Sequence, residues 1–257
     1  MKEKLYTMEL TDAVKAGDEC LFCWLERKLE QENLEFVLGS SYMEGDIREE
    51  TSIKGFCRHH TKMMYDYGNS LGNAWIMKSR LEYVNREWKK QMAQDMPGKK
   101  AGFFRRLGKS SDTKTQEAVS TAEAWIRLEE EHCYVCSRMK KIYGRMLDTF
   151  VYLLKAEPEF GRLLMESKGF CLPHFADIIH VCYEKLKSEE QQVWIPKLRQ
   201  LMETNLNRVQ EDIDWMIEKY DYRNQDADWK QSRDAVQRTM QKLVGSHPAD
   251  PVFKCQK

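Results

Sequence analysis

Six of the eight cysteines in this 257-residue chain fall into a pattern that occurs twice. The first copy reads Cys20-Leu21-Phe22-Cys23 and then Gly55-Phe56-Cys57-Arg58-His59-His60. The second reads Cys133-Tyr134-Val135-Cys136 and then Gly169-Phe170-Cys171-Leu172-Pro173-His174. The spacer is 33 residues between Cys23 and Cys57 and 34 between Cys136 and Cys171. Lys54-Gly55-Phe56-Cys57 matches Lys168-Gly169-Phe170-Cys171 residue for residue. An offset of about 113 residues is too long for a solenoid, so the pattern reads as a tandem duplication.

Residue type and spacing point to metal chemistry. Side chains at i and i+3 on a helix lie about 5–6 Å apart at Cβ, so a Cys-x-x-Cys at a helix start can place two sulfurs on one ion. Cys-x-x-His does the same from a facing element. Zinc takes four tetrahedral ligands of these kinds. Within each copy, a helix out and a helix back would return the chain to its starting end. This predicts two Cys3His sets, Cys20, Cys23, Cys57 with His60 and Cys133, Cys136, Cys171 with His174, each stapling its own hairpin. Three thiolates around a divalent ion leave one negative charge, which helix N-termini favour. Asp18 is a candidate N-cap before Cys20, and Pro173 suits a first helical turn after Cys171.

Two histidines and two cysteines stand apart from these sets. Cys57-x-His59 is too short to match Cys171-x-x-His174, so His59 is read as solvent-facing or as a support to His60. His132 is read as exposed. Cys182, eight residues past His174, lies about 12 Å along a helix and is expected in the core. Cys255 has no evident partner. The turn Cys57-Arg58-His59-His60 lacks a proline and carries extra charge, so the first copy is expected to be the more open to solvent.

The remaining pattern is helical. Phe22, Leu25, Leu29 and Phe36 keep helical spacing up to a candidate C-cap at Gly39. A second helix is predicted from about Tyr134 to Leu154, then a short one opened by Pro158. Tyr67, Leu71, Ala74, Met77, Leu81, Val84 and Trp88 form one stripe after the first Gly-Phe-Cys turn. A further long helix is predicted after Pro196. The predicted fold is all-α: two tandem helical-hairpin units, each stapled by a Cys3His site, and a C-terminal helix. The expected segments are a first repeat over 1–95, a linker or exposed basic loop over 96–117, a second repeat over 118–222, an amphipathic helix over 223–245 and a tail over 246–257.

Composition narrows the function. The 41 basic and 41 acidic residues cancel, so there is no global field to draw in nucleic acid or an anionic membrane. The start, Met1-Lys2-Glu3-Lys4-Leu5, lacks a signal-peptide run, and no stretch is apolar enough to span a bilayer. Cysteines without a secretory context read as ligands or redox groups, which predicts a cytoplasmic location. The run Lys99 to Lys109, with Phe103 and Phe104 among basic residues, could touch RNA or an anionic membrane surface but reads better as a solvated loop. No nucleophile–base pair, phosphate loop or dinucleotide fingerprint occurs.

The twin Cys-x-x-Cys…Gly-Phe-Cys-x-x-His pattern, with the later Tyr222-Arg223-Asn224, resembles a family of bacterial proteins defined by this domain and without an assigned function. The resemblance covers nearly the whole chain and implies the eight ligands named above, but no activity. The function expected is therefore that of a non-enzymatic protein with two zinc ions, acting as a scaffold or adaptor for a protein partner. The alternatives are a redox protein with iron–sulfur clusters or oxidisable zinc thiolates, and RNA binding through the basic run.

Overall fold

The computed structural model describes residues 5–95 and 120–245. The segment 96–117, the run 99–109 within it, Cys255 and the tail 246–257 lie outside these residues. Among the described residues there are eleven α-helices and no strand. They are α1 (Thr7–Lys15), α2 (Leu21–Gly39), α3 (Gly45–Lys54), α4 (Arg58–Tyr67), α5 (Ser70–Gln94), α6 (Thr121–Glu131), α7 (Tyr134–Ala156), α8 (Pro158–Glu166), α9 (Leu172–Lys185), α10 (Ser188–Glu218) and α11 (Ala235–Val244). Short 3₁₀ turns occur at Ser41–Met43 and Tyr222–Asn224. The all-α class read from the sequence holds.

Local chemistry sets the boundaries. Pro158 and Pro173 sit in the first turns of α8 and α9, where a missing N–H costs nothing. The Asp18 carboxylate accepts the Cys20 N–H at 3.0 Å, but α2 starts at Leu21, so Cys20 and not the expected Asp18 occupies the N-cap position. Two other boundaries differ from the sequence reading. The stripe from Tyr67 to Trp88 is broken at Gly68, whose φ of 86° ends α4, and Asn69 restarts the chain by accepting from the Gly72 N–H. Pro196 lies inside α10 instead of before it. A proline in a helix interior costs about 3 kcal/mol. Burial of Ile195, Leu198, Leu201, Met202 and Val209 on the same helix offsets that cost.

Contacts divide the chain into two compact units, one of 1–29 with 140–251 and one of 30–139. The boundaries fall inside α2 and α7, so each of these helices contributes to both units. In the first unit the rings of Phe22, Phe150, Phe160 and Phe170 form the core, with centroids 5.7–6.2 Å apart and mostly tilted or edge-on. Helices α8, α9 and α11 pack against α10 in this unit. In the second unit Leu34, Val37, Leu38, Met64, Ile76, Tyr134 and Val135 form the core, and α5 packs against α3, α4 and α6.

Candidate metal centres

The structure gathers all eight predicted residues into two groups, but it partitions them differently from the sequence expectation. Cys20, Cys23, Cys171 and His174 come together in the first unit, and Cys57, His60, Cys133 and Cys136 in the second. Each group takes its Cys-x-x-Cys from one copy and its Cys-x-x-His from the other. The hairpin argument fails on length. Helix α2, with 19 residues, runs about 28 Å, while α3, with 10, returns at most about 15 Å. Helices α7 and α8, with 23 and 9 residues, are as unequal. Cys57 and Cys171 therefore stop short of their own starting ends.

A matching pair of backbone bonds fixes the exchange. The Leu21 N–H donates to the Gly169 carbonyl at 3.4 Å, and the Tyr134 N–H donates to the Gly55 carbonyl at 2.9 Å. In both cases the residue after the first cysteine of one copy meets the glycine of the other. Gly55 and Gly169 have φ of 61° and 74°, and a Cβ on Gly55 would come within 2.9 Å of the Arg80 guanidinium. Glycine meets both requirements.

The group in the first unit is closed, with all four residues buried. The His174 Nδ1 lies 3.3, 3.5 and 3.1 Å from the sulfurs of Cys20, Cys23 and Cys171, and the last two sulfurs are 3.7 Å apart. In the second unit the His60 Nδ1 lies 3.2, 3.4 and 3.3 Å from Cys57, Cys133 and Cys136, and the Cys57 and Cys136 sulfurs are 3.9 Å apart. This group is open: Cys136 is exposed and Cys57 half-buried. For an ion with sulfur at 2.3 Å and nitrogen at about 2.05 Å, a tetrahedron has edges of about 3.8 Å (S to S) and about 3.5 Å (S to N). Both groups fit one such ion. None of the seven described cysteines is in a disulfide.

The histidine and the cysteines of each group shift one another electrostatically. Burial by itself would raise the Cys20 thiol, but Cys171, Cys23 and His174 hold it well below its ordinary value. Burial would lower His174, yet Cys171, Cys20 and Glu26 push it up to about 12. In the open group burial opposes, and Cys133, Glu30 and Cys57 outweigh it, raising His60 to about 10, while contacts with His60 and the backbone bring Cys133 down to about 6 against its burial. Within each group the histidine and one cysteine shift in opposite directions, each favouring the charged form of the other, while burial and the neighbouring sulfurs raise Cys136.

Several supporting groups were not read from the sequence. The far ring nitrogen of each ligand-type histidine faces a carboxylate: His174 Nε2 lies 3.3 Å from Glu26, and His60 Nε2 lies 3.1 Å from Glu30. His59, predicted as exposed or supportive, is exposed and shares Glu30 at 3.0 Å. Both carboxylates belong to α2, at three and seven residues after Cys23, a helical spacing that could have flagged them. Seven residues after Cys136 stands Tyr143 instead, whose ring packs 5.6 Å from that of His174. Burial and the Asp177 carboxylate push its phenol up.

Each unit also holds a cation on backbone carbonyls beside its group. Arg80 donates to Ser52 O at 2.7 Å and to Ile53 O at 3.2 Å, and it pairs with Glu129. Lys242, with 1% of its side chain exposed, donates to the carbonyls of Glu19, Lys168 and Phe170 and pairs with the buried Glu19 carboxylate at 3.4 Å. Burial lowers the Lys242 ammonium from its ordinary value. The helix carrying it, α11, ends on the closed group: the Gly245 carbonyl accepts from the Cys23 thiol, and a Cβ there would lie 3.5 Å from the Cys171 sulfur. Cys182 is buried and outside both groups, as expected, and burial raises its thiol to about 11.

A family model described as a family of unknown function (DUF6062) matches residues 1–250. The chain belongs to that family. No curated protein matches it, and no solved structure matches it. Membership in DUF6062 brings no activity, so the chemistry rests on the two groups themselves. No helix among the described residues is long and apolar enough to cross a membrane.

Proposed function

We propose that this is a non-enzymatic, cytoplasmic protein that binds two zinc ions, one in each Cys3His group, and uses them to hold a helical scaffold for a protein partner. The observation that carries the reading is that each group offers four donors at the edge lengths of a single tetrahedral ion. A hydrolytic zinc keeps a position open for water, and four strong donors leave none. An iron–sulfur cluster holds its thiolates on more than one iron, whereas these sulfurs converge on one point. Three thiolates and one imidazole favour zinc over magnesium or calcium, which take oxygen ligands. Exposed Leu71, Trp75, Leu81 and Trp88 along α5 supply apolar surface for a partner. The RNA alternative depends on the run 99–109, outside the described residues.

Elemental analysis of untagged, anaerobically purified protein tests the reading. Two zinc ions per chain are expected. Iron with inorganic sulfide, or a zinc content near zero, would overturn it.

A further inference from the structure

The open group presents one cysteine sulfur to solvent and a second within reach of it, and the closed group presents neither. Cys136 is exposed, and its sulfur lies 3.9 Å from that of the half-buried Cys57. Cys133 and His60, which complete the group, are buried. All four residues of the closed group are buried, with the end of α11 laid against Cys23 and Cys171. A metal-bound cysteine is held as the thiolate, the nucleophilic form, and its oxidation then depends on access.

We propose that Cys136 is the residue at which a hydroperoxide oxidises this protein, and that it forms a disulfide with Cys57 that expels the metal ion from the open group alone. This rests on the reading that each group holds an ion. In the first step the Cys136 thiolate attacks one peroxide oxygen: an S–O bond forms, the O–O bond breaks and hydroxide leaves. The sulfur is oxidised by two electrons to a sulfenic acid, and the peroxide is reduced by two. In the second step the Cys57 thiolate attacks the Cys136 sulfur: an S–S bond forms, the S–O bond breaks and a second hydroxide leaves. Both hydroxides end as water, each taking a proton from the buffer acid. The ion has then lost two of four ligands, and Cys133 with His60 cannot retain it.

Cys57 is the resolving residue because its sulfur is already across the group from Cys136 and half-exposed. Cys133 is buried, and its sulfur accepts the Cys136 N–H at 3.5 Å, which ties it to its place. Closing a gap of 3.9 Å to a bond of about 2.05 Å needs a shift of the two side chains once the ion loosens.

The test uses the full chain loaded with two zinc ions, confirmed by elemental analysis beforehand, so that a metal-free preparation counts against the metal reading and not against this one. Hydrogen peroxide is added, and released zinc is followed with a chromogenic chelator. One equivalent is expected to leave at least about tenfold faster than the second, since access governs the rate. Peptide mass mapping should then show Cys57 joined to Cys136, and a reductant with added zinc should restore two ions. Release of both ions at one rate, release first from the closed group, or a Cys133–Cys136 disulfide would overturn the proposal. The variant Cys136→His keeps a fourth donor and removes the oxidisable sulfur. Preparations of it that hold two ions by elemental analysis should lose the fast phase. Fast release from that variant would also overturn the proposal, and if it binds a single ion, the mapping in the wild-type chain decides.

Discussion

The two groups use the same donor types at similar separations, yet their surroundings differ sharply. The closed group is buried, with the end of α11 against two of its sulfurs and Lys242 holding the Glu19 and Phe170 carbonyls, which lie just before Cys20 and Cys171. The open group has Arg80 in a comparable place, but Cys136 reaches solvent. Identical donor chemistry therefore sits once inside the core and once at the surface. The difference comes from what the chain adds outside the duplicated motif, chiefly α11, which follows the second copy. It also overturns the expectation from the charged Cys57-to-His60 turn. That turn does belong to the more open centre, but Cys20 and Cys23 belong to the buried one.

The largest effect should come from breaking the exchange itself. The double variant Cys20→Ala with Cys171→Ala removes two donors from one group and should leave one zinc per chain. Cys20→Ala with Cys57→Ala damages both groups and should leave none. Elemental analysis separates them, and the reverse pattern would restore hairpins that are each stapled by their own copy. Structural zinc contributes on the order of 10 kcal/mol in small domains, so loss of the closed ion should also unprotect α9 and α11 in hydrogen exchange. Next in size, Lys242→Ala leaves the buried Glu19 with fewer partners and should cost about 3 kcal/mol, measured by calorimetry. An unchanged melting temperature would remove Lys242 from the explanation of why the closed group is closed.

A smaller effect tests the carboxylates. A partner to the far nitrogen of a metal-bound histidine is worth about 10–100-fold in affinity, so Glu30→Gln should weaken zinc at the open group by about tenfold in chelator competition. Glu26→Gln should do less, because Glu26 is 43% exposed and 3.3 Å from His174, against 21% and 3.1 Å for Glu30. Equal losses would show that access and distance do not set this contribution. The smallest effect belongs to Cys182→Ser. It places a hydroxyl in a buried site outside both groups, at a cost of about 1 kcal/mol, with both ions retained.

What was legible in the sequence was local. Cys-x-x-Cys and Cys-x-x-His each place two donors on one helical turn, so the eight residues could be named without knowing the fold. The helical class followed from spacing and from the sparse Gly and Pro. The partition was not legible, because either assignment gives two chemically identical Cys3His sets. Deciding between them needed helix lengths to within a few residues, and the short α3 and α8 were the elements the spacing described least. Lys242 and Arg80 were hidden for a related reason. Each acts on backbone carbonyls far away in sequence, and nothing in the identity of a lysine or arginine announces a buried carbonyl partner.

The exchange also biases the order of assembly. Tandem sites would each have closed as soon as their own copy was made, the first at His60. Here the loops are nested: Cys57 to Cys136 spans 79 residues, and Cys20 to His174 spans 154 around it. The entropic cost of closing a loop grows with the logarithm of its length, so the inner loop is the cheaper to close by about 0.6 kcal/mol for such a doubling. Once closed, it shortens the free chain between the outer ends. During synthesis the first 132 residues carry half of each ligand set and complete neither, so four donors wait on the nascent chain until Cys136 has emerged, and the outermost pair waits until His174.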